Sequence, residues 1–444
     1  MLLFSIIWFS FLYLFVFFKA KNKDLFSPVK FISLLYFVRN VLYLIVIYFD
    51  PSSFPDYILA SLGMTLEDSL LKYILLQSVA FIALIVGINL VPSGVKYFRV
   101  LHFNDISAVR LTSIVLFGFG LLGYMAFISK IGGLSVLIHS LSNRTEILSG
   151  GYSLILLKLM DISILFRIYI VKYSNTRKKD VIVFLILLII SIILYSSLGG
   201  RKNAVFLVLM CIVAYHYFVK PISLSSVKMR FVIPLVTMLF FYVFIIPTAR
   251  QPNGVSKLMN GEVNLMDEVD LNGFVGYLSY TYIDIFTANY FNANNNWEFS
   301  TLLTIPKNLD LTKPNYTRPP IDEGVYIYNL ARYGHYYKPP TPRNVMHVVG
   351  LPIENFGFGY ANGLTLGLVI ASLLLGIVYK ISYNISYSNF FNPIVLFFYL
   401  HMLFNFNFSS LRINNFVYML INFLVAIAIY FMILKVRKEK FYYG

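Results

Sequence analysis

The residues able to do chemistry in this chain fall in a few places. Between two apolar runs stands Ser196-Ser197-Leu198-Gly199-Gly200-Arg201-Lys202-Asn203. Gly199 and Gly200 permit a sharp turn without side-chain bulk. A helix opening at about Arg201 turns its amide groups and positive dipole end to the same side. A guanidinium fork at such a position suits a phosphate or diphosphate; the blander reading is that Arg201 and Lys202 snorkel from a helix end. A second cluster, His401 to Arg412 with Asn405 one turn from His401, closes another apolar run. Arg412 sits at its mouth and is a second candidate for an anion, whereas an isolated imidazole such as His401 is more commonly a packing group.

Within another run, Lys158 and Asp161 are three apart and can pair on one helix face, with Arg167 two turns on; an internal salt bridge is the commoner explanation. Arg39, alone in an early run, either lines a cavity or reaches back to an interface. The stretch Pro314 to Gly359 gathers Arg318, Asp322, Glu323, Arg332, His335, Arg343, His347 and Glu354. A carboxylate or imidazole beside a hydroxyl acts as a general base, and arginines neutralise charge on a departing phosphate. Together these groups fit a transfer with a phosphate leaving group.

Other chemistries lack their residues. Neither a Walker-type phosphate loop nor a GxGxxG follows a strand pattern. HExxH is absent, and His335 and His347 are twelve apart in a proline-containing loop, which argues against zinc. No metal or cofactor is expected. The single cysteine, Cys211, lies in an apolar run and reads as a small buried residue.

The elements that must position these groups are membrane helices. The 444 residues are 58% hydrophobic and 13% charged, with mean hydropathy +0.73, far from the roughly 25% charge of soluble domains. Apolar runs occur at about 2–18, 31–49, 70–91, 111–129, 152–171, 181–198, 204–219, 231–247, 358–379, 391–408 and 413–434. They predict an all-α polytopic membrane protein of about eleven spans. The division expected is eight spans over 1–249, one large loop over 250–357, and three spans with a tail over 358–444.

Orientation follows from the basic residues. Alternate connections on one side hold nineteen lysines and arginines and the opposite short ones hold five, so the first side is cytoplasmic by the positive-inside rule. The N-terminus is then external and the C-terminus cytoplasmic. The formal charge of +16 is spent on topology, and no nucleic-acid partner is expected. The large loop falls outside. It is close to neutral and rich in tyrosine, which argues against disorder. Its aromatic rings suit either a headgroup-level belt or platforms for sugars, and residues 272–291 suit a helix lying on the membrane or dipping into it.

In layout, and in Leu198-Gly199-Gly200-Arg201-Lys202-Asn203-Ala204, Glu354-Asn355-Phe356-Gly357-Phe358-Gly359 and the Ser-Leu-Arg ending at Arg412, the chain resembles the bacterial oligosaccharide repeat unit polymerases. These include the O-antigen and enterobacterial common antigen polymerases. The resemblance implies a GT-C-like glycosyltransferase in the bacterial cytoplasmic (inner) membrane. Its partners would be the lipid bilayer, undecaprenyl-diphosphate-linked oligosaccharides and a chain-length regulator. It would transfer the growing chain onto a terminal hydroxyl of the next unit, with undecaprenyl diphosphate leaving, and without nucleotide sugar or metal. It assigns the anion-binding role to Arg201 and Arg412, beside Lys202, Gly199 and Gly200, and matches Glu354 to an acidic position, with His347 seven residues before it; Glu354 or His347 would be the base. Arg318 and Arg343 join them on chemical grounds. The alternatives are the related O-antigen ligase and a lipid-linked oligosaccharide flippase or transporter, whose marks are internal repeats and broken helices.

Overall fold

The computed structural model describes residues 1–93, 105–139, 152–173, 176–198, 201–222, 254–261, 280–310, 314–349 and 353–443, with single positions at 242, 245, 248, 249, 251 and 312. Its main helices are α1 (Leu2–Lys19), α2 (Pro28–Phe49), α3 (Asp56–Leu62), α4 (Leu66–Leu90), α5 (Ile106–Lys130), α6 (Lys158–Tyr173), α7 (Arg177–Ser197), α8 (Arg201–Phe218), α9 (Thr281–Tyr290), α10 (Gly324–Tyr333), α11 (Asn355–Ser388), α12 (Pro393–Asn405) and α13 (Ser410–Tyr443). There is no strand among the described residues. Among the described residues seven helices, α1, α2, α4, α5, α7, α11 and α13, are long and apolar enough to cross a membrane. The chain is a multi-pass helical membrane protein. α8 and α12 are apolar but shorter, and the run expected over 231–247 lies outside the described residues except at two positions.

Local chemistry sets the helix ends. The Thr65 hydroxyl accepts from the Asp68 amide to start α4, with Glu67 and Asp68 on its positive first turn. Asp105 does the same for α5, accepting from Ser107 and Ala108. Pro28 opens α2, where its missing N–H costs nothing.

The chain divides into two compact units: Met1–Gly94 with Leu271–Tyr383 and Asn405–Phe416, and Val95–Asp270 with Asn384–Phe404 and Val417–Gly444. Most of the large loop, from residue 271 on, thus falls in the same unit as the first three spans. In this first unit α4 and α11 meet backbone to backbone: a Cβ on Gly87 would stand 2.1 Å from the Leu373 carbonyl oxygen, and one on Gly376 2.1 Å from that of Leu84. Small residues permit this approach, as is usual between membrane helices.

Two departures from regular helix shape the first unit. α2 contains one π turn over Phe37–Val41, an extra residue that places Arg39 and Asn40 side by side toward α9. α11 is two helices joined at Gly363–Leu364, where Leu364 has φ +51. Gly359 and Gly367 would lie about 12 Å apart along a straight helix, yet a Cβ on Gly367 would stand 2.5 Å from the Gly359 oxygen. The first two turns of α11 therefore fold back along the remainder. The sequence pattern reads a single span from 358; the structure places a re-entrant turn of helix there.

In the second unit α5, α6 and α7 pack together. Ser113 and Ser163 exchange hydrogen bonds across α5 and α6, and Arg167 donates to Ser113 Oγ at 2.9 Å.

Candidate functional site

The fold-back of α11 decides where Glu354 sits. Asn355, next along, donates to Ser372 Oγ at 3.2 Å, eight residues and about 12 Å of helix past the break. Glu354 is therefore held against the wall of a membrane-spanning helix. It stands 25% exposed, between two arginines. Arg412 Nη2, from the first turn of α13, is 3.5 Å from Glu354 Oε1, and Arg39 Nη1, from the π turn of α2, is 3.9 Å from Oε2. Asn407 donates its side-chain amide to the same Oε2 at 2.8 Å.

Behind them Arg39 Nη2 donates to Asp284 Oδ2 at 2.7 Å, and Asp284 is almost wholly buried. Asn40 extends the network, accepting from the Thr281 hydroxyl and donating to Tyr13 Oη. α9, which carries Asp284 and Thr281, has seven of its ten residues buried. It dips into the helical bundle instead of lying along its surface.

Arg412 is positioned by a brace. The first amide of α13, at Ser410, donates to Glu323 Oε1, and Ser410 Oγ donates to the Thr301 carbonyl at 3.0 Å. A distant carboxylate thus caps the helix whose first turn carries Arg412. Burial pushes Glu323 up to about 7, the Ser410 hydrogen bonds opposing it, and also raises Asp322.

The other sequence candidates divide. Arg343 donates its amide to the Arg318 carbonyl at 3.1 Å; burial and then the neighbouring Arg318 charge lower its pKa, so the two form a cationic pair on the loop. His347 is exposed, its ring 4.3 Å from that of Tyr333 and its amide donating to Asn329. Of the two candidate bases, Glu354 is the one that stands beside Arg39 and Arg412. Lys202 is exposed on the first turn of α8. Gly199, Gly200 and the Arg201 side chain lie outside the described residues.

Lys158 and Asp161 do pair, at 3.1 Å, with Tyr195 donating to Asp161 at 2.7 Å. Arg167 belongs to a separate contact with Asp180 at 3.8 Å. His401 is buried against Phe206 and Phe397. Asp284 escapes the sequence reading, and Asn407 is not singled out within the His401 to Arg412 cluster. The available signal for Asp284 is a lone acid in the apolar stretch Tyr282-Ile283-Asp284-Ile285-Phe286, since an ionisable group there needs a partner.

Compared with known proteins, the chain matches no protein-family model, no curated protein and no solved structure.

Proposed function

We propose that this protein is a membrane glycosyltransferase that joins lipid-diphosphate-linked oligosaccharide repeat units. The observation that carries the reading is the half-open Glu354 carboxylate standing between the Arg39 and Arg412 guanidinium groups. Two of the residues chosen on sequence grounds, Glu354 and Arg412, meet there from positions 58 apart in the chain.

The geometry supports a role for each group. Arg39 is fixed by its short contact with Asp284 and orients Glu354. Arg412 holds Glu354 only at 3.5 Å and is the group free to turn its fork onto a diphosphate. Glu354 accepts the proton of the acceptor hydroxyl as that oxygen bonds to the anomeric carbon of the growing chain. The bond from that carbon to the diphosphate oxygen breaks, and Arg412 stabilises the charge that develops on the leaving lipid diphosphate. The eleven-span layout, with this face external in a bacterial inner membrane, belongs to the same proposal.

A second reading has its own support: the re-entrant helix of α11 resembles the discontinuous helices that transporters use at their binding sites. A polysaccharide gel separates the two. The host lacking this protein is complemented with wild type, Glu354→Gln or Arg412→Lys. Transfer predicts a ladder with wild type and only a single-repeat band with either variant. Disappearance of the single-repeat band too points to translocation, and a full ladder with Glu354→Gln removes the proposed base.

A further inference from the structure

At the far end of the first unit from the α11 fold-back lies a cavity of about 530 Å³ that the reaction does not use. Three lysines line it: Lys19 ends α1, Lys21 follows two residues on, and Lys380 comes from late in α11. Asn22, Asn89 and Ser93 add hydrogen-bonding groups, and Lys380 already donates to Ser93 Oγ at 2.9 Å. Among the described residues its wall holds no carboxylate. Asp24, the acid of the adjoining turn, instead accepts from Tyr383 Oη and the Phe26 amide.

Lysines gather at membrane edges for topology alone, but that preference does not make them converge on one cavity. Nor does it supply the second feature. The floor is apolar, with Phe15, Ile85 and Ile88, and an apolar groove of about 580 Å³ along α1 adjoins it. Phe15 and Lys19 line both. In the groove Phe11, Phe15 and Phe18 present largely exposed rings.

We infer that this is a binding site for an anionic phospholipid, with the phosphodiester among Lys19, Lys21 and Lys380 and an acyl chain along the phenylalanine face of α1. Three positive charges opposite one phosphodiester give the charge complementarity, and the shared Phe15 and Lys19 give the continuity from headgroup to chain. Basic pockets between membrane helices take such headgroups. Because the lysines come from α1 and α11, a bound lipid ties together helices far apart in the chain.

The test uses the full chain in detergent, with lipid retention read by native mass spectrometry. Phosphatidylglycerol is expected to be retained at least tenfold over phosphatidylcholine. Lys19→Gln, Lys21→Gln and Lys380→Gln are each expected to lower its affinity about fivefold, while Lys380→Arg keeps it. Single variants decide the matter if the triple variant fails to fold. Equal retention of the two lipids, or a preference that survives loss of the lysines, overturns the inference. Inorganic phosphate displacing the lipid at equal concentration overturns it in favour of a free-anion site.

Discussion

Removing either member of the Arg39–Asp284 pair should destabilise the first unit, and removing both should cost much less than the two losses together. The groups meet at 2.7 Å, with side chains 16% and 3% exposed. With charge centres about 4 Å apart and an effective dielectric of about 20, their attraction is about 4 kcal/mol. Breaking such a pair strands a charge, at about 3–5 kcal/mol. The two halves are unequal. Asp284→Asn leaves Arg39 with Glu354 still 3.9 Å away, so it falls at the lower end; Arg39→Met takes the arginine from the nearly buried Asp284 and leaves Glu354 with Arg412 and Asn407, and falls at the upper end. The double variant Arg39→Met/Asp284→Asn should recover on the order of 2–3 kcal/mol relative to the sum. Unfolding in mixed micelles, titrated with a denaturing detergent, gives the four stabilities of the cycle. Additivity within about 0.5 kcal/mol would mean that the pair does not hold α2 and α9 together, and would remove the positioning role given to Arg39.

Three further outcomes follow from the geometry. Glu323 has its folded pKa raised to about 7 by burial, so between about pH 4.5 and 7 the folded state holds more protons than the unfolded one and stability falls as pH rises, by on the order of 3 kcal/mol; melting profiles of Glu323→Gln should lose this slope. His347→Ala should leave the polysaccharide ladder at full length, because the ring rests on Tyr333; a collapsed ladder would return His347 to the catalytic centre. Gly87→Val puts a methyl-bearing Cβ where the Leu373 oxygen stands, and should cost at least about 2 kcal/mol or prevent accumulation in the membrane, as measured by immunoblot.

How much of this was legible depends on the kind of information each feature needs. The helices were readable because an apolar run of about 20 residues has few other uses; the long ones start and end within about five residues of the runs, except that α11 and α13 each continue nine residues further. Glu354 and Arg412 were readable as charges beside apolar segments, and Lys158 with Asp161 as a pair three apart. Their partners were harder. Arg39 was visible as a buried cation, but its acid lies 245 residues away, and no local pattern joins the two. The π turn leaves no compositional mark, since Phe37–Val41 reads like any other part of the span. The break in α11 was hidden because Gly363 and Leu364 are as apolar as their neighbours; what turns the chain there is the small surface of Gly359 and Gly367.

The distance between Arg39 and Asp284 also sets a schedule for assembly. A ribosome adding about 5–20 residues per second takes roughly 12–50 seconds to pass from one to the other. During that interval α2 has been made and its guanidinium has no carboxylate to meet from α9. Insertion of the early helices therefore calls for something that shelters a lone cation, such as the translocase channel, water at the bilayer edge or a helper protein. A nascent chain halted before Asp284 should remain bound to that shelter and be cleared by membrane proteases, whereas one halted just after it could close the pair.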